Sequence, residues 1–460
     1  MLMLTYSAFG LTSVMCILLL FLARRVEKTP SIGNNPTFLQ FQRKYFTAYL
    51  LAVFADWLQG PYLYRLYSHY GFMEEQIAVL YVVGFASAVL LGTWAPIAAD
   101  RFGRRKLCVS FTIIYSLSCF FKLSRSYGIL ILGRILGGVA TSTLFYSFDA
   151  WYLYEHVETN DFPNEWIGVT MSKVTVWNGI LAIVAGLLAQ LFAEVFGLGP
   201  VSPFMLAVPC LGASGIIIML MWKENYGTKQ VKFGKACKEG LKNIVTEPRV
   251  FLIGIIQSLF ESVLYIFVFL WTPILTKGQS QIKGHNSLGV VFSTFMVCIQ
   301  IGSAVFRIQN ARKVSVPFLL LISIIMALAA NIICVVSTNP NNAHSVQFSL
   351  SFLAFLLFEV AVGIYFPAMG FIRTRIIPDR HRTSIMNWFR VPLNLIACVV
   401  LMLLHDDHFR HGNRLIFAIC TGLCGLALLL TFQFIATVKN DEDLKQEISS
   451  YQEGQVQLAR

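Results

Sequence analysis

The sequence predicts an all-α integral membrane protein, and three observations carry this prediction. Hydrophobic residues make up 56% of the 460 residues, charged residues make up only 13%, and apolar segments of helical length recur along the chain. A soluble protein has about 25% charged residues, so this chain lacks the polar side chains that would cover a surface in water. The composition therefore argues against a soluble enzyme and a nucleic-acid-binding protein. The net charge of +12 is expected to mark the cytoplasmic loops of a membrane protein.

Thirteen apolar segments are long enough to cross a bilayer, whose core of about 30 Å requires about 20 helical residues. Residues 1–23 form an extra N-terminal helix, and Arg24 and Arg25 follow it while no cation precedes it. We therefore expect this helix to remain in the protein with its N-terminus outside. Twelve further spans are predicted near 45–66, 76–99, 107–124, 128–152, 167–195, 200–222, 250–274, 287–306, 315–336, 346–371, 384–404 and 414–438.

The distribution of basic residues predicts the orientation of these spans. When loops are assigned alternately from a cytoplasmic first connection, 26 of the 36 Lys and Arg fall on the cytoplasmic side. Seven fall in outer loops, among them Lys122 and Arg125, and three lie within spans. This bias predicts a multi-pass protein of the cell membrane with an outer N-terminus and a cytoplasmic C-terminus.

A basic connection at 223–249 divides the last twelve spans into two sets of six. We expect an N-terminal six-helix bundle at 43–222, a cytoplasmic linker at 223–249 and a C-terminal six-helix bundle at 250–438, which is a layout typical of secondary transporters. The polar residues 439–460 are expected to form a cytoplasmic tail without a fixed fold.

Two short motifs point to a known superfamily. The turn after the third span reads D-R-F-G-R-R-K from Asp100, and the fifth span contains G-R-I-L-G-G from Gly133. Both resemble signatures of the major facilitator superfamily, although Pro96 replaces the leading glycine of the first motif. The resemblance implies the major facilitator superfamily fold of two six-helix bundles, here with one extra N-terminal transmembrane helix. It also implies that Asp100 and Arg104 act as a conformational latch.

A closer resemblance extends over nearly the whole chain. It is carried by A-D-W-L-Q-G-P-Y-L-Y from Ala55, D-F-P-N-E-W from Asp161, E-S-V from Glu261, F-V-F-L-W-T-P from Phe267, G-I-Y-F-P from Gly363 and N-W-F-R-V-P-L from Asn387. These segments are similar to those of the animal molybdate transporter family within the superfamily. The resemblance implies a secondary active transporter, not an enzyme, that imports the molybdate oxyanion by alternating access. The alternative is a transporter of another small anion or solute.

Six charged side chains fall within the predicted spans, where a charge costs about 2.5–3.5 kcal/mol on insertion scales. We expect Asp56, Arg134, Glu261 and Glu359 to form an intramembrane charge network in which one acid takes up a coupling proton. Alternatively, Arg134 has a structural role and the acids only neutralise nearby cations.

The other two intramembrane charges, Lys173 and Arg390, are the predicted contacts to the anion. They lie on the corresponding fifth and eleventh core helices, so each half would supply one cation to a shared cavity, and a guanidinium offers paired donors to an oxyanion. Four neighbours are expected to complete the substrate-binding pocket: Trp177, Asn178, Trp388 and Asn394. The alternative is that both cations snorkel to the cytoplasmic surface.

Other classes of function have little support in the sequence. The ten cysteines form no C-x-x-C pair and no ATP-binding P-loop is present, so neither a metal, nor a cofactor, nor a catalytic residue is expected. Two alternatives remain: a metal site in the histidine-rich segment that begins at His405, and a non-transporting receptor or scaffold. The expected partners are the oxyanion, protons as coupling ion and the lipid bilayer, with no nucleic acid.

Overall fold

The computed structural model describes residues 2–26, 35–90, 92–227, 233–276, 287–339, 342–378, 382–405 and 413–458, and within these ranges all regular structure is helical. Thirteen long helices form the fold and are numbered α1 to α13 along the chain. Their bounds are α1 Leu2–Val26, α2 Pro36–Gln59, α3 Glu74–Leu90, α4 Arg104–Phe121, α5 Tyr127–Tyr154, α6 Glu165–Gln190, α7 Ser202–Met221, α8 Pro248–Thr276, α9 Leu288–Ala311, α10 Val316–Ser337, α11 His344–Ile376, α12 Arg382–Met402 and α13 Arg414–Leu458. The predicted all-α architecture is confirmed.

Length and composition make ten of these thirteen helices candidates for crossing a membrane. The other three, α2 to α4, occupy predicted spans but are more charged or shorter. Helix α3 has only 17 residues, and α4 begins with three consecutive basic residues. The series of apolar helices identifies a multi-pass membrane protein, because helices satisfy their backbone hydrogen bonds internally within a bilayer.

Local sequence signals explain where α2 begins. Asn35 caps the helix, because its side-chain oxygen accepts hydrogen bonds from the backbone N–H groups of Thr37 and Phe38 at 3.1 and 3.2 Å. Pro36 occupies the first helical position, where its fixed φ favours a helix and its missing N–H has no helical partner to lose.

Helix packing repeats between the two halves of the chain. In the first half, α2 packs on α6 and α7, α5 packs on α3 and α4, and α4 also packs on α7. Adding six to each number gives contacts of the second half: α8 with α12 and α13, α11 with α9 and α10, and α10 with α13. The two halves therefore share one helix arrangement, as internal repeats of transporters do. The bundle borders at 43–222 and 250–438 stay predictions.

Each half contains a close helix crossing at a pair of glycines. A methyl group on Gly138 of α5 would overlap the backbone oxygen of Gly84 in α3, and one on Gly363 of α11 would overlap the backbone of α9 beside Gly302. Small residues allow the backbones of membrane helices to approach closely. The two crossings join corresponding helix pairs, so they add to the match between the halves.

The halves meet where α3 packs on α12 and where α6 packs on α9. Helix α1 lies outside the repeat and packs on α9. The hydroxyl groups of Thr5 and Ser287 are 3.3 Å apart, and Cys16 is buried against Val297 and Ile301. The extra N-terminal helix is thus attached to the second half.

Two segments differ from the sequence-based expectations. The basic linker contains a helix, Phe233–Thr246, which packs on α12 and α8. The expectation that the C-terminal tail lacks a fixed fold is wrong, because α13 continues through it to Leu458. The tail is polar, but its many Glu, Lys, Gln and Leu residues have high helix propensity. Polarity alone therefore did not distinguish an extended helix from an unfolded tail.

Candidate functional site

A cavity lies between the two halves and is lined by residues of α2 to α5 together with α8 and α12. Its volume is about 360 Å³, which accommodates a small tetrahedral oxyanion with several waters, since one water occupies about 30 Å³. The charged side chains of its lining are Asp56, Lys122, Arg134 and Arg390. Three cations and one carboxylate give the described lining a formal charge of +2.

Arg134 reaches from α5 across to α3. Its Nε donates a hydrogen bond to the backbone oxygen of Leu80 at 2.9 Å, and its guanidinium carbon lies 5.2 Å from the ring centroid of Tyr81. The absence of a side chain at Gly84 leaves room for the guanidinium, because a methyl group there would overlap it. Neutral groups thus position Arg134, and no carboxylate in the described ranges forms an ion pair with it.

Lys122 is a cavity residue that the sequence did not reveal. It lies in the connection between α4 and α5, as expected, but it is not an exposed loop residue, since only 3% of its surface is exposed. Its Nζ donates a hydrogen bond to Oε1 of Gln59 at 2.6 Å and lies 4.7 Å from the ring centroid of Phe204. Within the part of the chain that the structure describes, this ammonium has no carboxylate partner. Lys122 follows an apolar helix in a polar stretch, which is also the pattern of an exposed loop.

Asp56 is the one carboxylate in the described lining of the cavity. The phenol of Tyr115 donates a hydrogen bond to its Oδ1, and the charge of Lys122 acts on it. A hydrogen-bonded carboxylate that shares a cavity with cations is chemically suited to bind and release a proton as the surrounding charge changes.

The second half supplies Arg390 and Asn394, which lie one turn apart on α12. Nδ2 of Asn394 donates a hydrogen bond to the backbone oxygen of Arg390 at 2.8 Å. Tyr265 of α8 also lines the cavity, and its ring centroid lies 4.8 Å from that of Phe85 in the first half. The structure therefore brings two of the predicted pocket residues to the cavity, and their substrate role stays a prediction.

Lys173 and Trp177 lie elsewhere. Nζ of Lys173 donates a hydrogen bond to Oε1 of Gln42 at 3.0 Å. Trp177, with 47% of its surface exposed, lines a groove on the outside of the first half. The predicted pairing of Lys173 with Arg390 across one cavity is therefore wrong for this structure. The polar residues of α6 are spread around the helix and do not form one stripe, so its sequence does not show which side faces the cavity and which faces lipid.

Asn178 and Trp388 connect helices instead of lining the cavity. Oδ1 of Asn178 accepts a hydrogen bond of 2.7 Å from the indole of Trp57, which joins α6 to α2. The indole of Trp388 donates to the backbone oxygen of Cys237 at 3.0 Å, which attaches α12 to the linker helix. Neither side chain belongs to the described lining.

The other two predicted acids also lie outside the cavity lining. Glu261 of α8 accepts a hydrogen bond of 3.4 Å from the phenol of Tyr365 and lies in the electric field of Arg373 and Arg390. Glu359 of α11 is 3% exposed, and its Oε2 has no hydrogen-bond partner among the described residues. The single charge network expected from the sequence is thus divided among three places.

The Asp100 motif forms a connected turn at one end of the molecule. Asp100 and Arg104 form an ion pair of 3.2 Å on either side of Gly103, whose φ of 104° suits glycine. Glu224, just after α7, accepts hydrogen bonds of 2.9 and 3.3 Å from two backbone N–H groups in the first turn of α4. A carboxylate at a helix N-terminus stabilises these otherwise unpaired groups.

The two halves make several direct contacts at the end opposite Asp100. Oε1 of Gln190, the last residue of α6, accepts a hydrogen bond of 2.9 Å from the backbone N–H of Gly289 at the start of α9. Tyr64 packs edge-to-face on Phe269, with ring centroids 5.4 Å apart. These contacts hold the halves together beyond the Lys122 end of the cavity.

The described ranges contain no group of three or more His, Cys, Asp and Glu side chains that could hold a metal ion. The histidine-rich segment considered as an alternative begins at His405, and its residues 406–412 lie outside the described residues.

Sequence comparison identifies relatives over most of the chain. A family model described as sugar transporters with 12 transmembrane segments matches residues 3–358. Two similar curated proteins are both named molybdate-anion transporter. The Xenopus tropicalis protein is 45% identical, covering 90% of this chain and 89% of the relative. The Danio rerio protein is 41% identical, covering 96% and 97%.

Solved structures share the fold at low sequence identity. A mutant of the nucleoside transporter NupG matches with a TM-score of 0.65 at 14% identity, covering 85% of this chain and 99% of that chain. A D-xylose–proton symporter matches with a TM-score of 0.65 at 12% identity, covering 86% and 98%. At this level of identity the likeness concerns the fold alone.

Proposed function

The chain belongs to the major facilitator superfamily, and from this premise we propose that it is a secondary transporter that imports the molybdate oxyanion across the cell membrane. The names of the Xenopus tropicalis and Danio rerio relatives support this substrate. The basic loops support an outer N-terminus and a cytoplasmic C-terminus.

One observation carries the proposal: the cavity between the halves has a cation-rich lining whose cations lack carboxylate partners in the described ranges. A formal charge of +2 complements a dianion. Arg134 and Arg390 offer planar, paired N–H donors to oxyanion oxygens, and Lys122 adds a compact charge at the deeper end. Each charge-assisted hydrogen bond contributes about 1.5–3 kcal/mol, which offsets part of the anion's lost hydration.

The contacts between the halves support alternating access. The halves meet along α3 and α12 and along α6 and α9, and the proposed movement is a rocking of the halves at these two contacts around the anion between them. Gln190 and Gly289 connect the halves at the end opposite Asp100. The conformation is therefore interpreted as one whose cavity faces the cytoplasm, with the Asp100–Arg104 pair acting on helix ends that move during the cycle.

Proton coupling is the second component of the proposal. Moving a dianion into a cell against an inside-negative potential opposes about 2.3 kcal/mol per charge per 100 mV, so uptake needs an energy source. Asp56 is the proposed coupling group because it shares the cavity with the cations and is hydrogen-bonded by Tyr115. Protonation of Asp56 would raise the net positive charge of the lining and strengthen anion binding.

Uptake by the purified full chain in liposomes tests this function. We expect saturable molybdate uptake, counted as molybdenum by mass spectrometry, that exceeds uptake by protein-free liposomes and rises with an inward proton gradient. Uptake of sulfate without molybdate would assign the cavity to another tetrahedral anion, and uptake of a pentose alone would assign it to a neutral solute. A correctly folded protein that moves none of them would indicate a receptor or scaffold.

A further inference from the structure

We infer that the first half carries a binding site for one anionic phospholipid in the groove between α2 and α6. This groove is separate from the transport cavity, and the inference is independent of the proposed substrate. It assigns a partner to Lys173 and Trp177, two residues that the cavity does not include.

The groove is a concave, apolar surface on the outside of the molecule. Its volume is about 530 Å³. Its apolar lining consists of Leu39, Phe46, Leu50, Leu51, Phe54, Trp177, Leu181 and Ile217. These side chains come from α2, α6 and α7, so the groove is formed by the packing of three helices and is not the surface of one helix. Such a surface fits a flexible hydrocarbon chain.

Two cations lie at this groove. Arg43 is exposed, lines the groove and forms no ion pair in the described ranges. The neighbouring Gln42 is buried, donates to Oγ1 of Thr170 at 2.6 Å and accepts the 3.0 Å hydrogen bond from Lys173. Gln42 also lines the groove, so its amide holds the ammonium of Lys173 at the edge of the groove. An ammonium has three donors, so two remain for another acceptor.

The dimensions of the groove match one lipid leaflet. From Arg43 to Phe54 the helix advances eleven residues, which corresponds to about 16 Å at 1.5 Å per residue. Half of the hydrocarbon core of a bilayer is about 15 Å thick. A headgroup at Arg43 therefore places its acyl chain along the apolar part of the groove between Arg43 and Phe54.

Charge selects the class of lipid. Two cations, neither of them paired with a carboxylate among the described residues, complement a headgroup with net negative charge. They lie near the starts of α2 and α6, at the end of the molecule that carries the Asp100 turn. This end is the proposed cytoplasmic side, and the cytoplasmic leaflet contains the anionic lipids. A zwitterionic lipid has the phosphate but no net negative charge, and a sterol has neither, so both should bind less tightly.

Lipid binding to the full chain tests the inference. The protein, purified in a mild detergent, is titrated with phosphatidylserine or with phosphatidylcholine of the same acyl chains, and bound lipid is counted by native mass spectrometry. We expect the first phosphatidylserine to bind more tightly than phosphatidylcholine. Arg43→Ala and Lys173→Ala are each expected to weaken phosphatidylserine binding about fivefold, the usual effect of one basic side chain near an anionic surface. Phosphatidylcholine, which has the phosphate but no net negative charge, should lose less affinity in both.

Two further variants separate a specific site from diffuse attraction. Arg375→Ala removes an exposed cation at the same end of the second half and should leave phosphatidylserine binding unchanged. Thr47→Trp narrows the groove without changing its charge and should weaken phosphatidylserine binding. Arg43→Gln and Lys173→Gln replace the alanine variants if those elute as aggregates. Equal binding of the two lipids by the wild-type protein, or unchanged phosphatidylserine binding in Arg43→Ala, Lys173→Ala and Thr47→Trp, would overturn the inference.

Discussion

Arg134 illustrates how single residues define the cavity. Its place in α5 was visible in the sequence, but its contacts with Leu80, Tyr81 and Gly84 depend on how α3 and α5 cross. For Lys122, by contrast, the sequence did not indicate a cavity residue at all. Only the packed structure reveals that its ammonium enters the cavity beside Gln59. The sequence pointed to three of the four charged side chains of the described cavity lining, Asp56, Arg134 and Arg390, but it did not show which predicted charges lie together.

Replacing Gly84 by alanine tests the positioning of Arg134. A methyl group at this position overlaps the guanidinium, so Gly84→Ala should displace it and lower molybdate uptake about tenfold or more, the effect of losing one charge-assisted hydrogen bond. Gly128→Ala on α5 is the matched control, since nothing lies within 4 Å of its added methyl group. Liposome uptake per folded protein measures both. Wild-type uptake by Gly84→Ala would show that the position of Arg134 is not critical.

Asp56→Asn tests the coupling carboxylate. Asparagine keeps the shape and a hydrogen bond with Tyr115 but cannot exchange a proton, so the stimulation of uptake by an inward proton gradient should disappear. Glu359→Gln is the comparison, because this buried carboxyl lies outside the cavity lining. Uptake at several imposed pH gradients distinguishes them. Loss of the pH response in Glu359→Gln but not in Asp56→Asn would assign coupling to α11 instead.

Helical elements were predicted well where their sequences are long and apolar. All thirteen predicted spans correspond to helices, and ten of these helices are long and apolar enough to cross a membrane, because about 20 consecutive apolar residues have few other stable structures. The linker helix Phe233–Thr246 and the extension of α13 to Leu458 were missed, since polar sequence alone does not separate helix from loop. The inner and outer faces of α6 were also not predictable, as Lys173 shows.

Asp100→Asn tests the turn between the short helix Ala95–Phe102 and α4. The Asp100–Arg104 ion pair of 3.2 Å lies away from the cavity lining, so its loss should change how the halves interconvert and leave the anion's contacts intact. We expect a maximal uptake rate lowered severalfold, with KM within about twofold of wild type. A raised KM with a normal maximal rate would instead place Asp100 in anion binding.

The whole molecule combines an internal repeat with one added helix. Six helices per half were evident from the basic connection at 223–249, and the helix contacts repeat between the halves. The thirteen predicted spans are an odd number, which predicts that the two chain ends lie on opposite sides of the membrane. The sequence could not predict how the halves contact each other, because those contacts involve pairs such as Gln190 and Gly289 that are about a hundred residues apart.

Epitope tags at the two ends test this topology. In intact cells, an antibody added outside should bind a tag before residue 2 and should not bind one after residue 460. The reason is the distribution of Lys and Arg. The loops on the side expected to carry the C-terminus contain 26 of them, whereas the loops on the opposite side contain seven. Permeabilised cells provide the control for tag integrity. An N-terminal tag that becomes accessible only after permeabilisation would contradict the extra outward-starting helix.

The most direct test of the central claim is equilibrium binding of molybdate to the purified chain and its cavity variants. Dialysis followed by mass-spectrometric counting of molybdenum gives Kd without requiring transport. Lys122→Ala and Arg390→Ala should each weaken binding about tenfold or more, because each removes a charge-assisted contact of about 1.5–3 kcal/mol. Arg125→Ala, which removes an exposed cation close to Lys122 in sequence, should retain the wild-type Kd. Unchanged affinity in both cavity variants would show that the anion binds elsewhere.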